Sequence, residues 1–560
     1  MRSHVIAGAV LATVIGWVPV ALRSASQDAA ALAARVDDVF KEFTAPGSPG
    51  CTVGVYQGDR IVHRGAYGMA NLDHDVRLNP ASVFHVASVS KQFTATAILL
   101  LEQDGKLSLD DDVRKFVPEL PAFGPRITIR HLAHHTSGIR DQWDLLGLAG
   151  WRYSRDLITD DDVLQMLARQ KDLNFTPGER HLYSNSGYTL MAVVVSRASG
   201  QSFRAFTTDR IFAPLGMTNT RFRDSFTDVV KGQAYGYARE GAGFRLSVTN
   251  FDTAGATSLL TTVEDLVRWH ANFDDPKVGS RELLTRLLTR GQLNDGRRID
   301  YAFGITHGSY RGLPTVGHGG ADAGYRAAFL RFPAQKFGVA VLCNLASANP
   351  TQLAQRVADI SLSNVLSPPA AVSPDQSPEV AVAADQLARF AGLYWNASDV
   401  IARRFAVQEG RLHALTPAPL PLKSLGGGRF VSASGPPVRV TFDVASGQPG
   451  RVTIEPPGNP TEVLERTEPF APTAAALAEF AGTYRSEEIE TVFRMVVRDG
   501  ALRLERLKAP PAPLTPLVAD TFTSPPGAIR FVRDAGGRVS GFVLDGGRVR
   551  RMTFAKDDRR

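Results

Sequence analysis

Apolar and polar positions divide the 560-residue chain into stretches of different rhythm. Residues 5–22 are almost wholly apolar, behind a basic Arg2 and ahead of the small residues Ser24 and Ser26. That order predicts an export signal over residues 1–26, cleaved after Ser26, because the run is near the roughly 17-residue minimum for a membrane span and Pro19 interrupts it. The mature protein is then expected to be periplasmic or secreted, with a membrane touched only through the signal before cleavage. No cysteine stands near the junction to accept a lipid.

From residue 28 apolar positions recur at helical spacing and stop before Pro46-Gly47, which predicts a helix. Residues 51–56 and 60–65, joined by Gln57-Gly58-Asp59, read as a hairpin. The apolar run over residues 95–101, stopping at Gly105, predicts a buried helix that Ser88 opens. Another apolar helix is expected over residues 188–197, with helical and loop segments from there to residue 275. Residues 316–332 and 337–344 read as two or three strands, followed by a helix from residue 350 to about 366. Residues 367–378, rich in proline, serine and alanine, open a linker placed at 367–384. Beyond it the sequence repeats. Leu387-Ala-Arg-Phe-Ala-Gly-Leu-Tyr394 matches Leu477-Ala-Glu-Phe-Ala-Gly-Thr-Tyr484, and Val407-Gln-Glu-Gly-Arg-Leu412 matches Val497-Arg-Asp-Gly-Ala-Leu502 at the same offset. Short alternating runs within each copy, such as residues 439–442 and 539–543, predict two small antiparallel barrels of about eight strands, at 385–470 and 471–560.

Composition changes this picture little. A 44% apolar content supports several cores, and the first of them spans residues 27–366. The net charge of +7 comes from arginines spread along the chain, so nucleic acid is not implied. Such a balance would let an exported protein linger near anionic envelope polymers. Two cysteines, Cys51 and Cys343, make no disulfide framework.

Candidate chemistry begins with Ser88 and Lys91, three residues apart on one helix face. Serine is a poor nucleophile without a partner for its proton, and a half-desolvated lysine has a pKa lowered toward the working range. Alone, the pair fits a capped amphipathic helix; its company decides. Tyr183 and Asn185 fall in a turn ahead of the helix over residues 188–197, pointing the same way. A phenol facing a lysine ammonium has its phenolate favoured and can act as base or shuttle. His318 lies on an expected strand among glycines that let a substrate backbone approach. His131, His134 and His135 lack matching ligands at metal spacing and read as braces of a loop.

Ser88-x-x-Lys91, Tyr183-x-Asn185 and His318-x-Gly320, in that order, resemble the serine β-lactamase and penicillin-binding-protein superfamily, in its class C, esterase and D-aminopeptidase branch. Leu132-Ala-His-His-Thr-Ser-Gly138 and Asn185-Ser-Gly-Tyr188 support the match, which covers residues 28–366. The resemblance implies an α/β sandwich, an antiparallel sheet with helices plus an all-helical lobe, and here two small antiparallel β-barrels follow. First and last strands would be neighbours, bringing Cys51 and Cys343 close, as a disulfide or as two buried thiols. It also implies that Ser88 becomes acylated while Lys91 and Tyr183 move the proton. Asn185 would hold the substrate amide and Lys91, and His318, Gly319, Gly320 and Ala321 would bind substrate. The backbone N–H groups of Ser88 and Ala321 would form the oxyanion hole.

Many β-lactamases and D,D-peptidases carry lysine where this chain has His318. A neutral imidazole holds a carboxylate weakly, so esters, amides and peptides lacking that group fit better. The expected function is an exported serine hydrolase, a D-amino-acid-specific peptidase or aminopeptidase acting on small peptides, amides or esters, peptidoglycan fragments among them. The alternatives are an esterase of short acyl esters, and a weak β-lactamase or non-turnover peptidoglycan-binding protein. The intact Ser88, Lys91 and Tyr183 argue against a non-turnover binder. Neither a cofactor nor a metal is implied, and no Gly-x-Ser-x-Gly elbow marks an α/β-hydrolase. The barrels carry no motif of their own. In the D-aminopeptidase architecture that they resemble, a loop from an appended barrel shapes the active-site mouth; the alternative is that the barrels are a stabilising or dimerising appendage.

Overall fold

The computed structural model describes residues 20–368, 378–415, 419–434, 437–444, 449–456 and 461–557, with side chains described from residue 30. The expected export signal lies outside the described residues up to residue 19, and most of the expected linker, residues 369–377, does too. Helix α1 (Val20–Val39) begins before the expected residue 28 and runs without a break through residue 26.

The first domain is organised on six strands: β1 (Cys51–Gln57), β2 (Arg60–Tyr67), β3 (Thr306–Tyr310), β4 (Leu313–Asp322), β5 (Tyr325–Phe332) and β6 (Phe337–Cys343). They form one sheet in the order β3-β4-β5-β6-β1-β2, with antiparallel neighbours throughout. β1 and β6 are near-continuous apolar runs because both of their faces are covered. Val53, Val55, Val339 and Val341 pack beneath α1 and helix α6 (Pro350–Ser361). Tyr56, Ala340 and Leu342 turn the other way, into the core shared with α5 (Val263–Asn272), where the Tyr56 hydroxyl donates to Val263 O at 2.6 Å. The β1–β6 register sets Cys51 opposite Cys343, and a disulfide of S–S 2.10 Å joins them.

The helical lobe holds α2 (Lys91–Gln103), buried from Lys91 to Leu101, with α3 (Gln142–Leu148) and α4 (Asn185–Ser199). Two boundaries differ from expectation. Ser88 lies in a 3-10 turn, Ala87–Ser90, that precedes α2, and Asn185 is the first residue of α4 rather than part of the turn before it.

The repeat is structural as well. In each copy a short helix leads into a strand at a positive-φ glycine, Gly392 or Gly482. In each, a buried tyrosine hydroxyl donates back to a phenylalanine carbonyl: Tyr394 to Phe390 O at 3.2 Å, Tyr484 to Phe480 O at 2.8 Å. The first copy closes into a barrel of eight strands, from Gly392–Asn396 to Glu462–Thr467. The second makes a nine-strand sheet instead of the expected eight, because the segment around Ala512–Pro513 and Thr515–Val518 splits into two short strands. Pro510, Pro511, Pro513 and Pro516 supply no ladder N–H there. Its last two strands, β7 (Val539–Gly546) and β8 (Val549–Lys556), form a hairpin whose tip reaches the helical lobe. The second barrel's interior is continuous with the lobe's core, whereas the first barrel keeps a separate core of its own.

Candidate active site

Ser88 follows the short strand Phe84–His85 at a sharp turn, where Ala87 adopts φ 48°, a left-handed conformation unusual for a side-chain-bearing residue. The turn is pinned from behind: the Ser90 hydroxyl donates to Ala87 O at 2.5 Å and accepts Leu259 N–H at 3.1 Å. β4 runs past it so closely that a Cβ on Gly320 would stand 2.2 Å from Val86 O, so only glycine fits. Gly319, Gly320 and Ala321 thereby line a cleft of about 700 Å³ together with Ser88.

Lys91 is fully buried, and its Nζ lies 3.1 Å from Ser88 Oγ, 2.9 Å from Asn185 Oδ1 and 2.6 Å from Ala256 O. Burial lowers its pKa to about 7, against the pull of the Asp322 and Asp141 carboxylates and with help from the Arg548 charge. A neutral amine has two hydrogens and one lone pair. The Asn185 amide oxygen and the Ala256 carbonyl can only accept, so the hydrogens go to them and the lone pair faces the Ser88 hydroxyl.

Tyr183 packs beneath this amine, with its ring centroid 4.9 Å from Lys91 Nζ and 4.1 Å from the His135 ring. Burial pushes the phenol well up, and the Ser88 hydroxyl beside it offsets only part of that. The expectation that Lys91 would favour a phenolate is corrected: the amine sits over the ring and its own proton is weakly held, so desolvation prevails and the phenol keeps its proton. Asn185 lines the cleft, and its Oδ1 takes Lys91 as expected; its Nδ2 donates to Asp141 Oδ2 at 2.9 Å and its backbone N–H to the same oxygen at 2.7 Å, which leaves the second Nδ2 hydrogen for a substrate.

His318 is half-buried on β4, with Nδ1 at 2.5 Å from Gly319 O and Nε2 at 3.0 Å from the Tyr301 hydroxyl. A carbonyl only accepts, which assigns the proton to Nδ1 and lets Tyr301 donate to Nε2. Burial and the nearby Lys91 lower its pKa to about 4, so the ring is neutral at neutral pH. The three histidines of the 131–135 segment brace its loop. His131 Nδ1 accepts Thr128 N–H, His134 lies against the Phe303 ring, and His135 Nδ1 accepts Ser184 N–H.

Several residues at the cleft escaped the sequence reading. Asp322, at the end of β4, accepts from His85 Nε2 at 2.8 Å and from the hydroxyls of Thr257 and Tyr153. Burial would raise its carboxyl, but those donors hold it below the usual carboxylate range. The cluster ties the strand that carries Ala321 to the segment that carries Ser88. Asp141 caps α3 by accepting Trp143 N–H, and it faces Arg548 Nη2 at 3.1 Å. Arg548 lies at the tip of the β7–β8 hairpin and lines the cleft from the second barrel. The cap was legible in principle, since Asp141 immediately precedes a short apolar helix. Nothing in the sequence marked Arg548.

The Beta-lactamase family model matches residues 36–364 of this chain. A D-aminopeptidase of Gluconobacter oxydans is 27% identical over 448 residues, which cover 80% of this chain and 81% of that protein. A D-aminopeptidase of Brucella ovis is 25% identical over 520 residues, 89% of this chain and 93% of that protein. Among solved structures, a penicillin-binding protein homologue from Pyrococcus abyssi shares the fold at TM-score 0.52 and 23% identity, over 79% of this chain and 100% of that one.

Proposed function

The chain belongs to the beta-lactamase family and is a serine hydrolase, and from that premise we propose that it is an exported D-amino-acid peptidase acting through an acyl-enzyme on Ser88. The observation that carries the reading is the Lys91 amine, whose lone pair faces Ser88 Oγ at 3.1 Å. Ser88 Oγ bonds to the scissile carbonyl carbon while its proton passes to Lys91 Nζ. The carbonyl oxygen gains the negative charge and is met by the backbone N–H groups of Ser88 and Ala321, each donor worth roughly 10²–10³ in rate. Collapse breaks the C–N bond. The amine leaves with the proton from Lys91, passed directly or through the protonated Tyr183 phenol, and water then releases the acid from the Ser88 ester. Small D-residue peptides and amides are the substrates supported by relatives named D-aminopeptidase that cover 80% and 89% of this chain, and peptidoglycan fragments are one source of such peptides. Export rests on the charge and apolar pattern of residues 1–26.

The test is nitroaniline release from D-alanine nitroanilide and from its L-enantiomer, beside nitrophenol release from a short acyl ester. We expect turnover of the D-amide at least about tenfold above the L-amide, and a loss of about 10³ or more in Ser88→Ala with an unchanged melt. The activity should appear in the envelope or medium fraction of the producing cell. Turnover of the ester alone would make the protein an esterase, and a fully active Ser88→Ala would remove Ser88 from the reaction.

A further inference from the structure

We propose that Arg548, carried on the second barrel, is a positioning residue for the hydrolytic site: it holds the buried Asp141 carboxylate that fixes Asn185 and, through Asn185, the Lys91 amine facing Ser88. The inference rests on the reading of Ser88 and Lys91 given above. It starts from Asp141, fully buried and bound to three groups of the site: the Asn185 amide, the Asn185 backbone N–H and the Trp143 N–H. A carboxylate so placed needs a countercharge. Among the described residues, the cation within ion-pair distance is Arg548, with Nη2 at 3.1 Å from Asp141 Oδ1 and 3.4 Å from Asp144 Oδ1.

Backbone bonds set the hairpin tip that delivers it. Arg548 N–H donates to Asp144 Oδ2 at 2.7 Å, and Arg548 O accepts from Asn174 Nδ2 at 2.9 Å and from Asp141 N–H at 3.3 Å. Gly547 adopts φ 54°, and a Cβ there would meet Asp144 Oδ2 at 2.6 Å. Arg140, next to Asp141, donates to Arg550 O and Arg551 O, both at 3.0 Å. The tip is therefore seated by many contacts besides the guanidinium, and removing the side chain alone leaves the docking in place.

The charges that act on Lys91 fix the sign of the effect. The Asp322 and Asp141 carboxylates favour its protonated form; Arg548, and the His135 and His318 rings when charged, oppose it. The Tyr183 and Tyr188 rings lie 4.9 and 5.5 Å from Nζ. Asp144, beside Asp141, adds to the negative charge that Arg548 balances. Burial raises the Asp141 carboxyl and Arg548 offsets it; without the guanidinium the positive charge that opposes a proton on Lys91 is gone, and that proton is held more strongly.

The experiment compares Arg548→Ala and Arg548→Lys with the wild type in the full-length protein, using D-alanine nitroanilide. We expect Arg548→Ala to lower kcat about 10- to 100-fold with KM changed less than about threefold, and to move the acid limb of kcat/KM up by about one pH unit. Arg548→Lys, which keeps the charge, should recover most of kcat and return the limb to within about 0.3 unit. A rise in KM with kcat and the limb unchanged would make Arg548 a substrate contact and overturn the proposal. So would equal losses in both variants with a lowered melting temperature, which is the signature of docking alone. If Arg548→Ala undocks the barrel, Arg548→Gln replaces it and is read by the same limb. Ser88→Ala separates the two failures: an active Ser88→Ala sinks the reading of the site, whereas a Ser88-dependent enzyme indifferent to Arg548 sinks this proposal only.

Discussion

The two barrels are copies of one unit, with the same helix-to-strand entry, the same positive-φ glycine and the same tyrosine-to-carbonyl bond, yet they are joined to the rest of the molecule in different ways. The second barrel's interior is continuous with the helical lobe, and its boundary contains a fully buried ion pair, Arg140–Glu488 at 2.6 Å. The first barrel closes on its own core and meets the hydrolase domain through the exposed pair Arg180–Asp399 at 3.3 Å. It meets the second barrel through bonds such as Arg404 Nη2 to Pro516 O at 2.7 Å. Closure of the sheet seals one copy; in the other, polar groups that emerge from the sheet's end have been drawn into a neighbour's core. The same local sequence can thus build an appendage or a wall of the active site, and what decides is the loop chemistry at the barrel's rim.

Breaking the buried pair should have the largest effect. Glu488→Ala leaves the Arg140 guanidinium buried without its carboxylate and also removes the acceptor of Lys171 N–H, a loss of about 3–5 kcal/mol. A urea melt should show the hydrolase domain and second barrel destabilised together, with turnover of D-alanine nitroanilide reduced, because Arg140 adjoins Asp141. If the second barrel unfolded alone and activity held, the shared interior would be no more than contact.

The paired tyrosines sharpen the comparison at smaller cost. Tyr394→Phe and Tyr484→Phe each remove the buried hydrogen bond to a phenylalanine carbonyl, about 0.5–1.5 kcal/mol, and Tyr394→Phe also removes the acceptor of Arg466 Nη1 at 3.3 Å. Arg466 belongs to the first barrel's own last strand, so coupling is read from which transition moves and whether activity goes with it, and the size of the shift does not report it. Tyr484→Phe should lower the transition that also abolishes activity, whereas Tyr394→Phe should lower a separate transition of the first barrel, as followed by calorimetry beside activity on the same heating ramp. Identical shifts of a single transition would show that both barrels unfold with the hydrolase domain.

What could be read from the sequence was what short spacing determines. Ser88 and Lys91 are three residues apart, Tyr183 and Asn185 two, and the strand near His318 shows itself by its glycines. The repeat was visible because two pairs of matched segments keep one offset. One detail failed because burial outweighs pairing: the Tyr183 phenol keeps its proton. The contacts that Arg548 and Asp322 make around the site were illegible for another reason. Arg548 meets Asp141 across more than 400 residues of chain, and His85 meets Asp322 across 237, so those contacts exist only once separate elements have docked. A Gly-Gly-Arg hairpin tip announces a turn and says nothing about where it points.

The smallest effect belongs to the first barrel's own boundary. Asp399→Ala removes the partner of Arg180, but both side chains are largely exposed, at 60% and 43%, and Arg180 keeps Glu179 at 3.2 Å. An ion pair of that kind contributes about 0–0.5 kcal/mol and is screened by salt. Melting temperature and turnover should therefore stay within error of the wild type, at low and at high ionic strength. The bond that the Arg550 guanidinium donates from Nη1 to the backbone carbonyl of Asp399, at 3.4 Å, survives the substitution, so the local seating is kept. A drop above about 2 kcal/mol, or a loss of activity, would mean that this barrel too is held by a buried contact and that the two copies are integrated alike. A null result, set against the several kcal/mol expected at Glu488, would place the division between appendage and active-site wall at the barrel rim, with the repeated core common to both.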